Sequence, residues 1–233
     1  MSTATPMRMR GITTIDITKD TRRRRGYIKD EEITYDCATV IAIDPGGVTG
    51  WSLISVPPEA LCEPDVPVLS NIWNHLHGEV DCGTHRGNLG TSLHPGISTE
   101  GEFSGVYDLA KFIRSWPVAA VVIEDFTLMV HRKDRDLLSP VRITSALGLE
   151  LWKTGRDYHV QTPADAKRVC SNERLIEWRM YDPTGSLEHA RDADRHALLF
   201  LRKAKAKSRF RAEAWPHLYG DRGAYNARRL NRA

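Results

Sequence analysis

Two short apolar runs, each stopped by a carboxylate, constrain this chain more than any other feature. Residues 39–43 read Thr-Val-Ile-Ala-Ile and are followed by Asp44. Residues 118–123 read Val-Ala-Ala-Val-Val-Ile and are followed by Glu124. Neither run alternates with polar residues, so neither face of such a strand can meet water. Strands of this kind lie in sheets covered by helices on both sides. If the two run side by side in parallel, both acids emerge at one sheet edge, where open α/β sheets place their sites.

The rest of the chain supplies the covering layers. After Asp44, the stretch Asp44-Pro45-Gly46-Gly47-Val48-Thr49-Gly50 turns the chain, and residues 51–56 resume as a strand, giving a hairpin. The glycines there also let a phosphate or metal approach the backbone. A proline-rich loop over 57–67 leads to a third strand within 68–82. Residues 83–101 read as a long loop. Val106, Leu109, Ala110 and Ile113 then give helical spacing over 102–116. Ser139 and Pro140 open another helix, 157–161 form a short strand, and Thr162 caps a helix with Asp165 in its first turn. The last helix spans about 187–205, with Ser186 as its cap and Ala190, Ala193, Ala197 and Leu201 as a small-residue stripe for close packing. A hairpin meander followed by alternating helices and strands predicts a mixed sheet with helices on its faces.

Charge divides the chain into three. Residues 1–30 hold 8 Lys/Arg against 3 Asp, or +5, and residues 202–233 hold 10 against 2, or +8. The total is +3, so the middle carries −10. An acidic body between basic ends suits a protein that meets a polyanion with its ends and holds cations in its body. We therefore expect a basic, mostly disordered extension over 1–36, a folded domain over 37–203 and a basic, aromatic-containing tail over 204–233. In the tail, Phe210, Trp215, Tyr219 and Tyr225 interleave with cations, as a nucleic-acid-binding segment requires. Alternatively, they form a helix packed back on the body. No run reaches the ~18 apolar residues of a membrane span and no signal peptide opens the chain, so a soluble, cytoplasmic protein is expected. Four scattered cysteines without CxxC spacing read as reduced thiols.

The last helix adds the third part of a site. His189 and Asp192 are three residues apart and share a face beside the alanine stripe, with His196 one turn on. Asp192 and Asp194 point about 200° apart, so both cannot face one site. The stripe favours His189 with Asp192; the other register sets Asp194 and His196 there. Carboxylates with one imidazole suit hard divalent cations, Mg²⁺ or Mn²⁺. His75-x-His77 followed by Cys82-x-x-His85 has the residue types of a zinc site but the spacing of no common finger. An actin-like ATPase would need a second phosphate loop, and serine acyl chemistry would need a Gly-x-Ser-x-Gly elbow; the chain has neither.

These segments resemble the motifs of RuvC-like Holliday junction resolvases. Ile43-Asp44-Pro45-Gly46-Gly47-Val48-Thr49-Gly50-Trp51 is similar to the first motif, and Val122-Ile123-Glu124-Asp125-Phe126 to the second acidic one. Thr162-Pro163-Ala164-Asp165-Ala166-Lys167 resembles the Thr-x-x-x-x-Lys segment, and His189-Ala190-Arg191-Asp192-Ala193 the closing acidic helix, which in some members opens on His. The four occur in the family's order between about 39 and 203.

The resemblance implies an RNase H-like mixed five-stranded sheet with helices on both faces, and a homodimer that nicks branched DNA in pairs with two Mg²⁺ or Mn²⁺ ions per site. It implies Asp44, Glu124, His189 and Asp192 as metal-site and catalytic residues, and Lys167 and Arg168 as contacts to DNA phosphates. Phe126 is either a wedge at the junction or a core residue. The basic extensions lie outside the family core, and a compact, tail-bearing variant of this kind would suit a bacteriophage. Two rival functions are a related nuclease acting on flaps, forks or RNA–DNA hybrids, and an inactive DNA-binding module of the same fold. No small-molecule cofactor is expected.

Overall fold

The computed structural model describes residues 36–82, 100–126, 138–181, 187–221 and 223. Five strands, β1 (Ala38–Asp44), β2 (Val48–Val56), β3 (Asn74–Asp81), β4 (Ala120–Glu124) and β5 (His159–Gln161), form one sheet in the order β3-β2-β1-β4-β5. The hairpin pairs β1 with β2 and β2 with β3 antiparallel, whereas β4 joins β1, and β5 joins β4, in parallel. The two apolar runs are thus central, adjacent and parallel. Every residue of β1 is buried.

Helices cover both faces. On one lie α2 (Glu100–Arg114) and α3 (Ser139–Lys153), packed over Ile41, Ile43, Trp51, Leu53 and Ile123. Glu102 of α2 takes a forked contact from Arg142 of α3, at 2.8 Å from Nε and 2.5 Å from Nη2. On the other lies α6 (Glu188–Ala206), over Val40, Ala42, Ile54 and Val122. Its Ala190, Ala193, Ala197, Leu201 and Ala204 are fully buried, so the small-residue stripe is the packing seam. Among the described residues no helix is long and apolar enough to cross a membrane.

Several short helices escape periodicity. Pro58 opens α1 (Pro58–Cys62) inside the proline-rich loop, as its fixed φ and missing N–H allow at a first turn. Thr162 caps α4 (Pro163–Val169), its hydroxyl accepting from Asp165 N–H, and Ser171 does the same for α5 (Asn172–Glu177). Ser139 is the first residue of α3 and not its cap. Ser186, the expected cap of α6, lies outside the described residues, as do 1–35 and 224–233.

The described residues after α6, through 221, belong to the body. Helices α7 (Ser208–Ala214) and α8 (Pro216–Tyr219) fold back so that Trp215, Leu218 and Tyr219 enter the core. Trp215 Nε1 donates to the Thr39 carbonyl at 2.8 Å and Tyr219 hydroxyl to that of Pro58 at 3.0 Å. Lys205 and Arg211 donate to main-chain carbonyls, Lys205 to those of Ala60, Glu63 and Val66. Apolar burial of these rings outweighs the basic composition read as a tail. Tyr225 lies outside the described residues.

Candidate active site

Strand register places five residues in one row across the sheet. Glu124 pairs with Gln161, Asp44 with Gly50, and Gly50 with Glu79. Asp44 and Glu124 follow the paired residues Ile43 and Ile123 of the parallel central strands. Alternation turns the row Gln161, Glu124, Asp44, Gly50 and Glu79 toward α6, while Ile43, Trp51 and Ile123 face α2 and α3.

Helix α6 crosses this row, and Gly50 is what lets it. A Cβ on Gly50 would lie 2.0 Å from the His189 carbonyl oxygen. This glycine lies within β2, beyond the turn, and is needed to let the helix approach. Glu79 Oε1 accepts the His189 N–H at 2.9 Å, doing from the sheet what no side chain does at the α6 cap. His189 Nδ1 meets Asp44 Oδ2 at 3.1 Å. Two turns on, His196 Nε2 meets Glu124 Oε2 at 2.6 Å and Nδ1 meets Gln161 Oε1 at 3.1 Å.

The residues between these histidines go elsewhere, because each step rotates by 100° around the helix. Ala193 is buried against the sheet. Asp192 is turned toward α4 and the following loop, where Arg195, Lys167 (3.7 Å) and Arg191 (3.6 Å) surround its carboxylate. Asp194 is turned the other way, onto β2 and β3. It accepts from Ser52 Oγ at 2.7 Å and meets His75 Nε2 at 2.7 Å and His77 Nδ1 at 2.8 Å.

Of the residues singled out in the sequence, Asp44, Glu124 and His189 come together. Asp192 is beside Lys167, engaged by cations. The alternative register is not realised as a pair either: His196 joins Glu124, and Asp194 leaves for β3. Lys167 is exposed at the rim, and Arg168, also exposed, pairs with Asp165 of its own helix at 2.7 Å. Phe126 is half-buried just beyond β4. Glu79, Gln161 and the Asp194 cluster were not anticipated. Residues 75, 77 and 79 alternate as His-x-His-x-Glu, a polar face of β3 that signals a buried polar partner.

Electrostatics sets Asp44 apart. Burial raises its carboxyl above the ordinary value; the His189 hydrogen bond opposes this and the charge of Glu124 adds to it. The Asp44 hydrogen bond raises His189, against burial, with help from the charges of Asp44, Glu79 and Glu188. At Asp194, burial is outweighed by the two imidazoles, and its carboxyl falls to about 2.

No family model and no curated protein matches the chain. Among solved structures, Thermus thermophilus RuvC is similar, at 13% identity and a TM-score of 0.50, over 72% of this chain and 96% of that one. The fold is RuvC-like. T. thermophilus RuvC in complex with a Holliday junction substrate is similar at 13% identity and a TM-score of 0.48, with the same coverage. The RuvC-like fold accounts for the mixed five-stranded sheet and its two helical layers.

Proposed function

We propose that this chain is a metal-dependent endonuclease that nicks branched DNA, with four-way junctions as its substrate. The observation that carries the reading is the pairing of Asp44 and Glu124 at the ends of two parallel central strands, under two histidines of α6. The donor set fits a hard divalent cation. Asp44 is a buried acid held above its ordinary pKa beside a second acid, and among the described residues the groups that bear on it are imidazoles and carboxylates, not Lys or Arg. Asp44, Glu124 and His189 would hold Mg²⁺ or Mn²⁺, two ions per site, and Asp192 would join them only by leaving Arg195 and turning from α4. When bound, such ions make water more acidic and offset phosphate charge.

The remaining roles fall to side chains. His189 is half-exposed, with Nδ1 committed to Asp44, so Nε2 is the atom that would either meet an ion or, with no ion on it, exchange a proton with solvent. Lys167, at the rim, would hold a backbone phosphate, with Arg168 further along α4. Phe126 would flank the branch point. A homodimer would set two such sites across a junction for paired nicks.

A second reading is favoured by the cations around Asp192. If Arg195 keeps that acid from a metal, the chain is a DNA-binding module of the same fold. Nicking of a synthetic four-way junction, set beside duplex, flap and fork with Mg²⁺, Mn²⁺ or EDTA, separates the cases. Metal-dependent paired nicks on the junction support the proposal. Cleavage of flaps or forks instead changes the substrate. Tight junction binding without cleavage, and no Mn²⁺ heat on titration, supports the binding module.

A further inference from the structure

We propose that His75, His77 and Asp194 form a second metal site, for a Zn²⁺-like cation, that fastens α6 to the edge of the sheet. His75 Nε2, His77 Nδ1 and a carboxylate oxygen of Asp194 lie within 4.8 Å of one another. This set shares no residue with the row beneath His189 and His196. It is also distinct from the sequence grouping of His75 and His77 with Cys82, because alternation along β3 sends Cys82 into the core under α2.

Three observations support a cation there. First, Asp194 is fully buried, and the groups that contact its carboxylate are two imidazoles and the Ser52 hydroxyl, not Lys or Arg. Two imidazoles and one carboxylate are a common zinc donor set, leaving a fourth position for water or for Ser52 Oγ. Second, the spacing is close to what a metal requires. Zinc bonds of roughly 2.0–2.2 Å put neighbouring tetrahedral ligand atoms about 3.3 Å apart. The imidazole nitrogens lie 2.7 Å from Oδ1 (His75) and 2.8 Å from Oδ2 (His77), the two oxygens of one carboxylate, and with all donor atoms within 4.8 Å of one another small shifts of the rings would admit a cation between them. Third, the site is reachable. His75 is at the rim, its side chain 10% exposed, while Asp194 is at the bottom.

The consequence is structural. Such a cation would tie β3 to the middle of α6, between the turns that carry His189 and His196, and so hold both imidazoles over the acids.

The test uses the full chain carrying Asp44→Asn and Glu124→Gln, which removes the acids of the first site. After metal is stripped with EDTA and the chelator removed, Co²⁺ is titrated and the visible spectrum followed. One equivalent with a four-coordinate ligand-field band, displaced by Zn²⁺, is expected. Adding His75→Asn should weaken Co²⁺ binding at least ~100-fold with the far-ultraviolet circular dichroism unchanged. Imidazole nitrogen resonances provide a readout that needs no further variant: on Zn²⁺ addition, Nε2 of His75 and Nδ1 of His77 should move to metal-bound positions. Absence of the cobalt band, cobalt binding indifferent to His75→Asn, or Zn²⁺ that leaves those two nitrogens unmoved would overturn the proposal.

Discussion

Replacing Gly50 by alanine isolates the contact that seats α6. The added Cβ would meet the His189 carbonyl oxygen at 2.0 Å, its carbon at 2.1 Å and Ala190 N at 2.7 Å. All three are backbone atoms, so no rotamer change relieves the clash. Ordinary contact begins near 3.4 Å, so the first turn of α6 must retreat by the difference from 2.0 Å, about 1.4 Å. That retreat would stretch the His189–Asp44 contact from 3.1 Å and the Glu79–His189 contact from 2.9 Å beyond hydrogen-bonding range. Overpacking costs about 1–3 kcal/mol, and two lost hydrogen bonds roughly 1 kcal/mol each. The urea midpoint should fall by about 1 M. If His189 serves the reaction, a displacement of this size should also slow nicking about 100-fold. Gly148→Ala is the control: its Cβ meets only the half-exposed Tyr158 side chain, at 3.1 Å, in the interior of a helix. It should be neutral or stabilising by up to about 1 kcal/mol. A Gly50→Ala protein with the parent's midpoint and nicking rate would refute this account of how α6 is seated.

Other perturbations probe separate parts of the molecule. Asp44→Asn should abolish metal-dependent nicking and leave junction binding intact by gel shift; parallel loss of binding would count against a metal role. Arg142→Ala should cost about 2 kcal/mol at pH 7, less than for a fully buried pair because Arg142 is 36% exposed. The Arg142 hydrogen bond holds Glu102 below its ordinary value of 4.5, so the stabilisation is complete above that pH and fades as pH falls through the lowered value. Urea midpoints of parent and variant should therefore differ at pH 7 and converge in acid; a constant gap would be inconsistent. Burial pushes Cys82 and Cys170 up to about 11, and Cys37 is buried as well. One thiol, that of half-buried Cys62, should react quickly with a disulfide reagent at pH 8, and the other three only on unfolding.

The central strands and their acids were legible because a strand buried on both faces must read as an unbroken apolar run, and whatever polar residue stops it marks the sheet edge. The α6 seam was legible because close packing on a sheet demands small residues at helical spacing. What could not be read was where neighbouring helix residues find partners. Asp192, Asp194 and His196 are all polar and within two turns, yet one meets α4, one β3 and one β4. The 100° step along α6 turns them to different directions, but which partner stands in each direction is set by strands and helices far away in sequence. Helices α1, α5, α7 and α8 are too short for periodicity to register. Trp215 and Tyr219 looked like rings for nucleic acid because basic residues surround them; their burial depends on strand β1 and helix α1, far away in sequence.

The three-way use of α6 has a consequence for how such a chain can vary. Between positions 189 and 196 the helix works like a cam with fixed lobes: one residue faces α4, one the sheet floor and one the hairpin edge. Side chains there can be exchanged singly, each exchange felt by one wall. A single inserted or deleted residue turns every later lobe by about 100°. It would bring Arg195 or Ala197 over Glu124 in place of His196, and break the α4, β3 and β4 contacts together. Length in this segment is therefore far less free than identity.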